Sequence, residues 1–169
     1  MIATPNAGFV DALQSLTSSR KFAQIFGRCS PAILGTMSSL YQLLPHARHG
    51  HIIAAVSAER VKDTYDPQLW QDIAGGLANP NETDLLSQLL PEEVSEHTRR
   101  EIALERQRKA LIRAKHLAAA SDFPVSPTEN LSYYSIAGDA EPIDAVIAVG
   151  QGGFVGDLDF HPPLMTSTI

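Results

Sequence analysis

Cysteine is nearly absent: the chain of 169 residues holds one, Cys29. That excludes an internal disulfide framework, and with no motif around it a small core residue is the expected role. No stretch approaches the ~18 consecutive apolar residues of a spanning helix, and the N-terminus lacks a charged region followed by an apolar run, so neither a membrane span nor a signal peptide is read. Gly-x-Ser-x-Gly occurs nowhere, and Ser38, Ser39 and Ser57 lack the strand, turn and helix that a nucleophile elbow needs. Gly150-x-Gly152-Gly153 precedes no helix start, which makes it a turn and not a dinucleotide or phosphate fingerprint. No cofactor is expected. The formal net charge of -6 argues against a nucleic-acid binder.

What remains is a globular composition, 44% hydrophobic, enough for a sizeable core. Ile2-Ala3 reads as the end of a buried strand broken by Pro5 and Gly8. Residues 9–16 then carry apolar side chains at helical spacing. Ser30-Pro31 is a helix start, with Ser as N-cap and Pro at the first helical position, and the spacing predicts one helix through Leu44 to the stop at Pro45. Asp66-Pro67 repeats that logic for a helix ending at Gly75-Gly76. Asn79-Pro80-Asn81 is a turn, and residues 83–90 make one or two helical turns.

The longest helix is predicted from Pro91 to about Ala120, with an apolar stripe at Val94, Leu104, Leu111 and Leu117. Glu96 with Arg100 and Glu105 with Lys109 form i,i+4 pairs in the favourable order. Residues 131–137 and 145–149 read as strands. Two or three strands cannot cover their own edges, so sheet partners are expected before residue 1, after residue 169 or on another chain.

The charges are uneven. Between Glu92 and His116 stand seven Arg or Lys and five Glu, which leaves the remainder more acidic than the total. Arg106, Arg108, Lys109, Arg113 and Lys115 fall in residues 106–115 with no acid among them. They suit the solvated face of a helix, or a weak contact with anionic lipid head groups. His46, His49 and His51 share a short loop without nearby carboxylate or thiol ligands, so a surface loop and no metal site is expected.

Several segments in order resemble the lecithin:cholesterol acyltransferase family of the α/β-hydrolase fold. Ile2-Ala3-Thr4-Pro5-Asn6-Ala7-Gly8 is similar to the strand end after its nucleophile-bearing unit. Ser39-Leu40-Tyr41-Gln42-Leu43-Leu44-Pro45 is similar to a Ser-Leu-Tyr-x-Leu-Leu-Pro segment of its lid region, which Tyr65-Asp66-Pro67-x-x-Trp70 and Arg113-Ala114-Lys115-His116-Leu117 also fit. Residues 131–138 with Pro142 resemble a late strand and turn, and Gly156-Asp157 falls where the family places Gly-Asp-Gly-Thr-Val-Pro.

The resemblance implies an α/β, helix-rich fold: a partial hydrolase sheet of few strands, with residues 1–169 forming the C-terminal part of one domain and residues 30–120 its helical lid. It implies an acyltransferase or hydrolase parent acting on lipid or other acyl esters through a Ser-Asp-His triad. Here the elbow would lie upstream of Met1 and the histidine downstream, so the chain alone is expected to be inactive and to need its missing N-terminal half or a partner chain. Gly156-Asp157-Leu158-Asp159-Phe160-His161-Pro162 lacks the second Gly and the Thr-Val pair. From the residues alone Asp157 and Asp159 are turn-formers. With the resemblance Asp157 becomes the triad acid, Asp159 being the alternative, and His161 is a loop histidine. The other expectation is a non-catalytic helical interaction protein derived from this scaffold and completed by a partner chain.

Overall fold

Ser30 and Asp66 start helices because their side chains replace the missing partners of the first amides: Ser30 accepts from the Ala32 N–H at 3.2 Å and Asp66 from that of Gln68 at 3.0 Å, each with Pro next in the chain. The computed structural model describes residues 8–18, 29–46, 63–91 and 93–124, and the backbone of 52–54, 147–150 and 153–157. In chain order these give α1 (Val10–Thr17), α2 (Pro31–Gly35), α3 (Ser38–Gln42), β1 (Ile52–Ala54), α4 (Pro67–Asp72), α5 (Thr83–Leu89), α6 (Glu96–Ser121), β2 (Ile147–Gly150) and β3 (Gly153–Asp157). A 3-10 turn, Gly76–Ala78, links α4 to α5.

The helix predicted from Ser30 to Leu44 is two helices. Met37 is extended between them (φ -88, ψ 101), and the Thr36 hydroxyl bonds back to the Ile33 carbonyl at 2.7 Å. Gly35 lets the 3-10 turn come close, since a Cβ there would lie 2.9 Å from the Leu77 nitrogen. The longest helix also begins later than Pro91. Ser95, whose hydroxyl accepts from the Thr98 N–H at 3.2 Å, is its N-cap.

α6 is the floor of the molecule. Ala103, Gln107, Ala110, Leu111, Ala114 and Ala118 form its buried side. Small residues there let the other helices approach closely. Leu111, Ala110, Ala114 and Ala118 of this side share one apolar core with Leu13 and Leu16 of α1, Leu34 of α2, Leu40 and Tyr41 of α3, Leu44, and Trp70 of α4. A smaller cluster joins Ala32, Leu77, Leu86 and Ala103. The core's polar atoms are largely paired: the Trp70 indole N–H donates to the Thr64 carbonyl at 2.9 Å, and the Thr64 hydroxyl donates to the Pro45 carbonyl at 3.0 Å.

The expected α/β sheet is corrected by this arrangement. The described residues are helix-rich, and both apolar cores are helix packed on helix through side chains that belong to no strand. The physical reason is the alanine side of α6, against which α3, α4, α5 and the 3-10 turn pack closely, with α1 joining the same core through α2. The described strands are three to five residues long, in the order β1-β2-β3. β1 runs parallel to β2, Ile52 opposite Ile147, while β2 and β3 are antiparallel with an irregularity between Ala148 and Val149. Residues 150–156, read as a turn or hairpin end, include the last residue of β2 and most of the antiparallel β3. The strands predicted at Ile2-Ala3 and at 131–137 lie outside the described residues.

Candidate interaction face

Among the described residues, two groups of side chains have the chemistry to act on something outside the fold: a charged groove along α6 and a polar cluster at its C-terminal end. The groove follows from helical spacing. Glu101, Ile102, Glu105, Arg106, Lys109, Ala110 and Arg113 of α6, with Ser38 at the start of α3, line a groove of about 580 Å³. Leu117 lies one turn beyond Arg113 on α6 and is 45% exposed. Met37, beside Ser38, is 47% exposed, and Ile102 is 42% exposed. Large apolar side chains thus stand in water beside three cations.

The cations are positioned differently. Arg106 donates to the Thr36 carbonyl at 2.8 Å, which ties α6 to the break between α2 and α3. Lys109 lies 3.4 Å from Glu105. Glu105 is claimed more strongly by Arg108, through bonds of 2.7 and 2.8 Å. Those bonds hold its carboxyl down at about 2, well below the usual carboxylate range. Arg113 makes no hydrogen bond or ion pair among the described residues. α6 therefore concentrates cationic charge on a chain that is acidic as a whole.

At the other end of α6, His46 is 5% exposed and its Nδ1 lies 3.0 Å from Oδ1 of Asp122, the helix C-cap. This corrects its assignment to a surface loop. The Pro45 stop turns the chain inward, where an imidazole needs a partner and Asp122 supplies one. Close by, Lys115 donates to Asp63 at 2.6 Å, and the Tyr65 hydroxyl reaches the Leu44 carbonyl at 3.4 Å. Burial, then the Asp122 and Asp63 charges, push the Tyr65 phenol up to about 12. The Thr64 hydroxyl, donated to a carbonyl, is no nucleophile. Among the described residues no group of three His, Cys, Asp or Glu could hold a metal ion, and no helix is long and apolar enough to cross a membrane.

The residues singled out from sequence are dispersed. Asp157 is the last residue of β3, its backbone opposite Ile147. Asp159, His161, His49, His51 and Ser57 lie outside the described residues. Ser38 and Ser39 open α3 and stand in no elbow. Cys29 is half-buried against the main core. Residues 106–115 are divided: Gln107, Ala110, Leu111 and Ala114 point inward and the five cations outward. Sequence reasoning missed the contribution of Ser38 to the groove. The signal was the Gly35-Thr36 pair, which breaks the helix and brings Ser38 to α6. No known protein family, curated protein or solved structure matches the chain.

Proposed function

We propose that this chain is a non-catalytic helical interaction protein, and that the groove between α3 and α6 docks an acidic segment of a partner protein anchored by apolar side chains. The observation that carries this is the placement of Arg106, Lys109 and Arg113 in one groove with the exposed Ile102, while Met37 and Leu117, also exposed, adjoin lining residues along the chain. Of the carboxylates in the groove, Glu101 and Glu105, the second is held by Arg108, so the cations prevail beside an exposed apolar strip, which fits a segment of the opposite sign and is a poor solvent face. A concave groove also fits a peptide segment better than a flat lipid surface, although residues 106–115 have charge for both.

The test uses the pure chain with a photoreactive group at Ser38, crosslinked in its native source and digested. Crosslinks to acidic, apolar-containing segments, abolished by Arg106→Glu with Arg113→Glu and weakened by salt, support docking. Charge-independent crosslinks, or binding to vesicles of anionic lipid with no protein crosslink, overturn it.

A second reading retains the acyl-ester parent. In its favour, the helical body overlaps residues 30–120, the stretch that the family resemblance assigns to a lid. Acyl transfer through a serine needs a base to take the hydroxyl proton and an acid to orient that base. On this reading Asp157 is the acid, and other segments supply the rest. Ester turnover by the assembled protein that disappears in Asp157→Ala is its expected result; assembly without turnover removes it.

A further inference from the structure

Among the described residues, only α3 and α6 line the charged groove, and nothing of the same chain fills it. The chain also carries a segment of the opposite kind. Residues 63–95 hold seven Asp or Glu and no Lys or Arg. Three of those acids are engaged at home: Asp63 accepts from Lys115 at 2.6 Å, Asp66 from the Gln68 N–H at 3.0 Å, and Asp72 from the Gln68 side-chain amide at 2.9 Å. Glu82, Asp84 and Glu93 make no ion pair among the described residues. They stand at the start of α5 and just beyond its end.

Helical spacing gives this segment an apolar edge. Leu85 and Leu89 are four residues apart and share one line of the α5 surface. Leu89 is 50% exposed, Leu85 is half-buried, and Asp84 and Glu93 are exposed. Leu86 points inward and packs with Ala32, Leu77 and Ala103. It fastens α5 to the body, while Arg100, bonded to the carbonyls of Leu77, Ala78 and Asn79, fastens the turn before it. Held in this way, α5 stays out of the groove of its own chain and presents Leu89 and the acids to solvent.

We propose that the occupant of the groove is residues 82–93 of a second copy of this chain. The proposal rests on the reading of the groove as a dock for an acidic, apolar-anchored segment, and it names that segment. Leu89 lies against Ile102, with Asp84 and Glu93 among Arg106, Lys109 and Arg113. The choice follows from charge complementarity. The groove's own carboxylates do not cancel its cations, since Glu105 is held by Arg108 and Glu101 faces His97 at 3.4 Å. The segment offers acids without partners beside an exposed leucine, which is what the groove lacks. Groove and segment are different patches, so each copy brings one of each. The contact then runs from copy to copy, or closes into a ring or a reciprocal pair.

Two charge-reversed forms of the whole chain test this. One reverses the groove (Lys109→Glu with Arg113→Glu) and the other the segment (Asp84→Lys with Glu93→Lys). All four side chains are exposed, and circular dichroism establishes that the helices persist. In sedimentation at low salt, the mass of the unaltered chain is expected to grow with concentration, and each reversed form alone to associate at least tenfold more weakly. An equal mixture of the two is expected to associate again, because the native segment of one form meets the native groove of the other. Misfolding does not produce that recovery. Bulk attraction does not either, since both forms remain net acidic. A check without charge reversal uses a photoreactive group at Ser38 in a mixture of isotope-labelled and unlabelled copies, with crosslinks expected to residues 82–93 of another copy. A chain that stays monomeric at every soluble concentration, association that neither reversal weakens, a mixture that does not recover, or crosslinks confined to other segments overturns the proposal. The docking reading is judged apart from it. A monomeric chain whose Ser38 still captures acidic segments of another protein leaves that reading standing and this proposal fallen, and an absence of both removes the two together.

Discussion

Arg100 shows how one side chain can close a structure that its own backbone leaves open. Its guanidinium lies under the 3-10 turn and donates to the carbonyls of Leu77 (3.2 Å), Asn79 (2.6 Å) and Ala78. Partial burial lowers its pKa from the usual arginine range. It is spent on these carbonyls and not on the i,i+4 partner Glu96 that spacing predicted. Arg100→Ala should therefore destabilise the fold by about 1–3 kcal/mol, since it leaves buried acceptors unpaired, as urea unfolding would show. Tyr65 gives the corresponding case for pH. Its phenol titrates at about 12 in the folded chain against 10.0 ordinarily, so the folded state keeps the proton more tightly. Stability from this source is complete below pH 10 and declines as pH rises towards 12. Absorbance at the tyrosinate band should rise late and together with loss of helix, and Tyr65→Phe should weaken that coupling.

The helix starts were the most legible features, because a cap is a local device. Ser30-Pro31 and Asp66-Pro67 place two helices within a residue, and the Asn79 side chain accepts from the Asn81 N–H at 3.0 Å in the predicted turn. α6 was misread at its start for the same kind of reason: Pro91 with Glu92 and Glu93 imitates a first turn, while Ser95 provides the cap. Ser95→Ala should cost about 1 kcal/mol and fray the first turn of α6, measurable as earlier amide exchange there. The inner side of α6 was legible only at Leu111, which the predicted stripe contains and which is buried, because the rest of it is alanines and one glutamine, which carry no hydrophobic stripe. Leu117, placed on the predicted stripe, faces water instead. The cations of the groove could be read directly. Ser38 across from them could not, since it reaches α6 only through the break at Thr36 and Met37.

Taken as a body, the helices depend on a few wholly buried side chains shared by all of them. Leu111 is 0% exposed and lies in the same core as α1, α3 and α4. Leu111→Ala should lower stability by about 2–5 kcal/mol, with one cooperative transition when followed by circular dichroism and by Trp70 fluorescence alike. Independent transitions would mean that α4 and α6 unfold apart. Charge is distributed in the opposite way: α6 carries seven of the thirteen Arg and Lys residues but only three of the nineteen Asp and Glu. High salt should therefore weaken binding to an acidic partner through this helix more than it weakens the fold, whose cores are apolar.

The order in which the ribosome delivers these helices has its own outcome. Leu13 and Leu16 belong to the same core as Leu111, Ala114 and Ala118, and although Leu34, Leu40 and Leu44 of that core follow soon after them, its α6 side is made about a hundred positions later. At ~5–20 residues per second, the core begun by α1 to α3 would wait several seconds for α6 during synthesis. Nascent chains halted before α6 should be captured by chaperones and cut readily by proteases. Release of α6 from the exit tunnel, and not the appearance of any earlier helix, should be the moment at which protection begins.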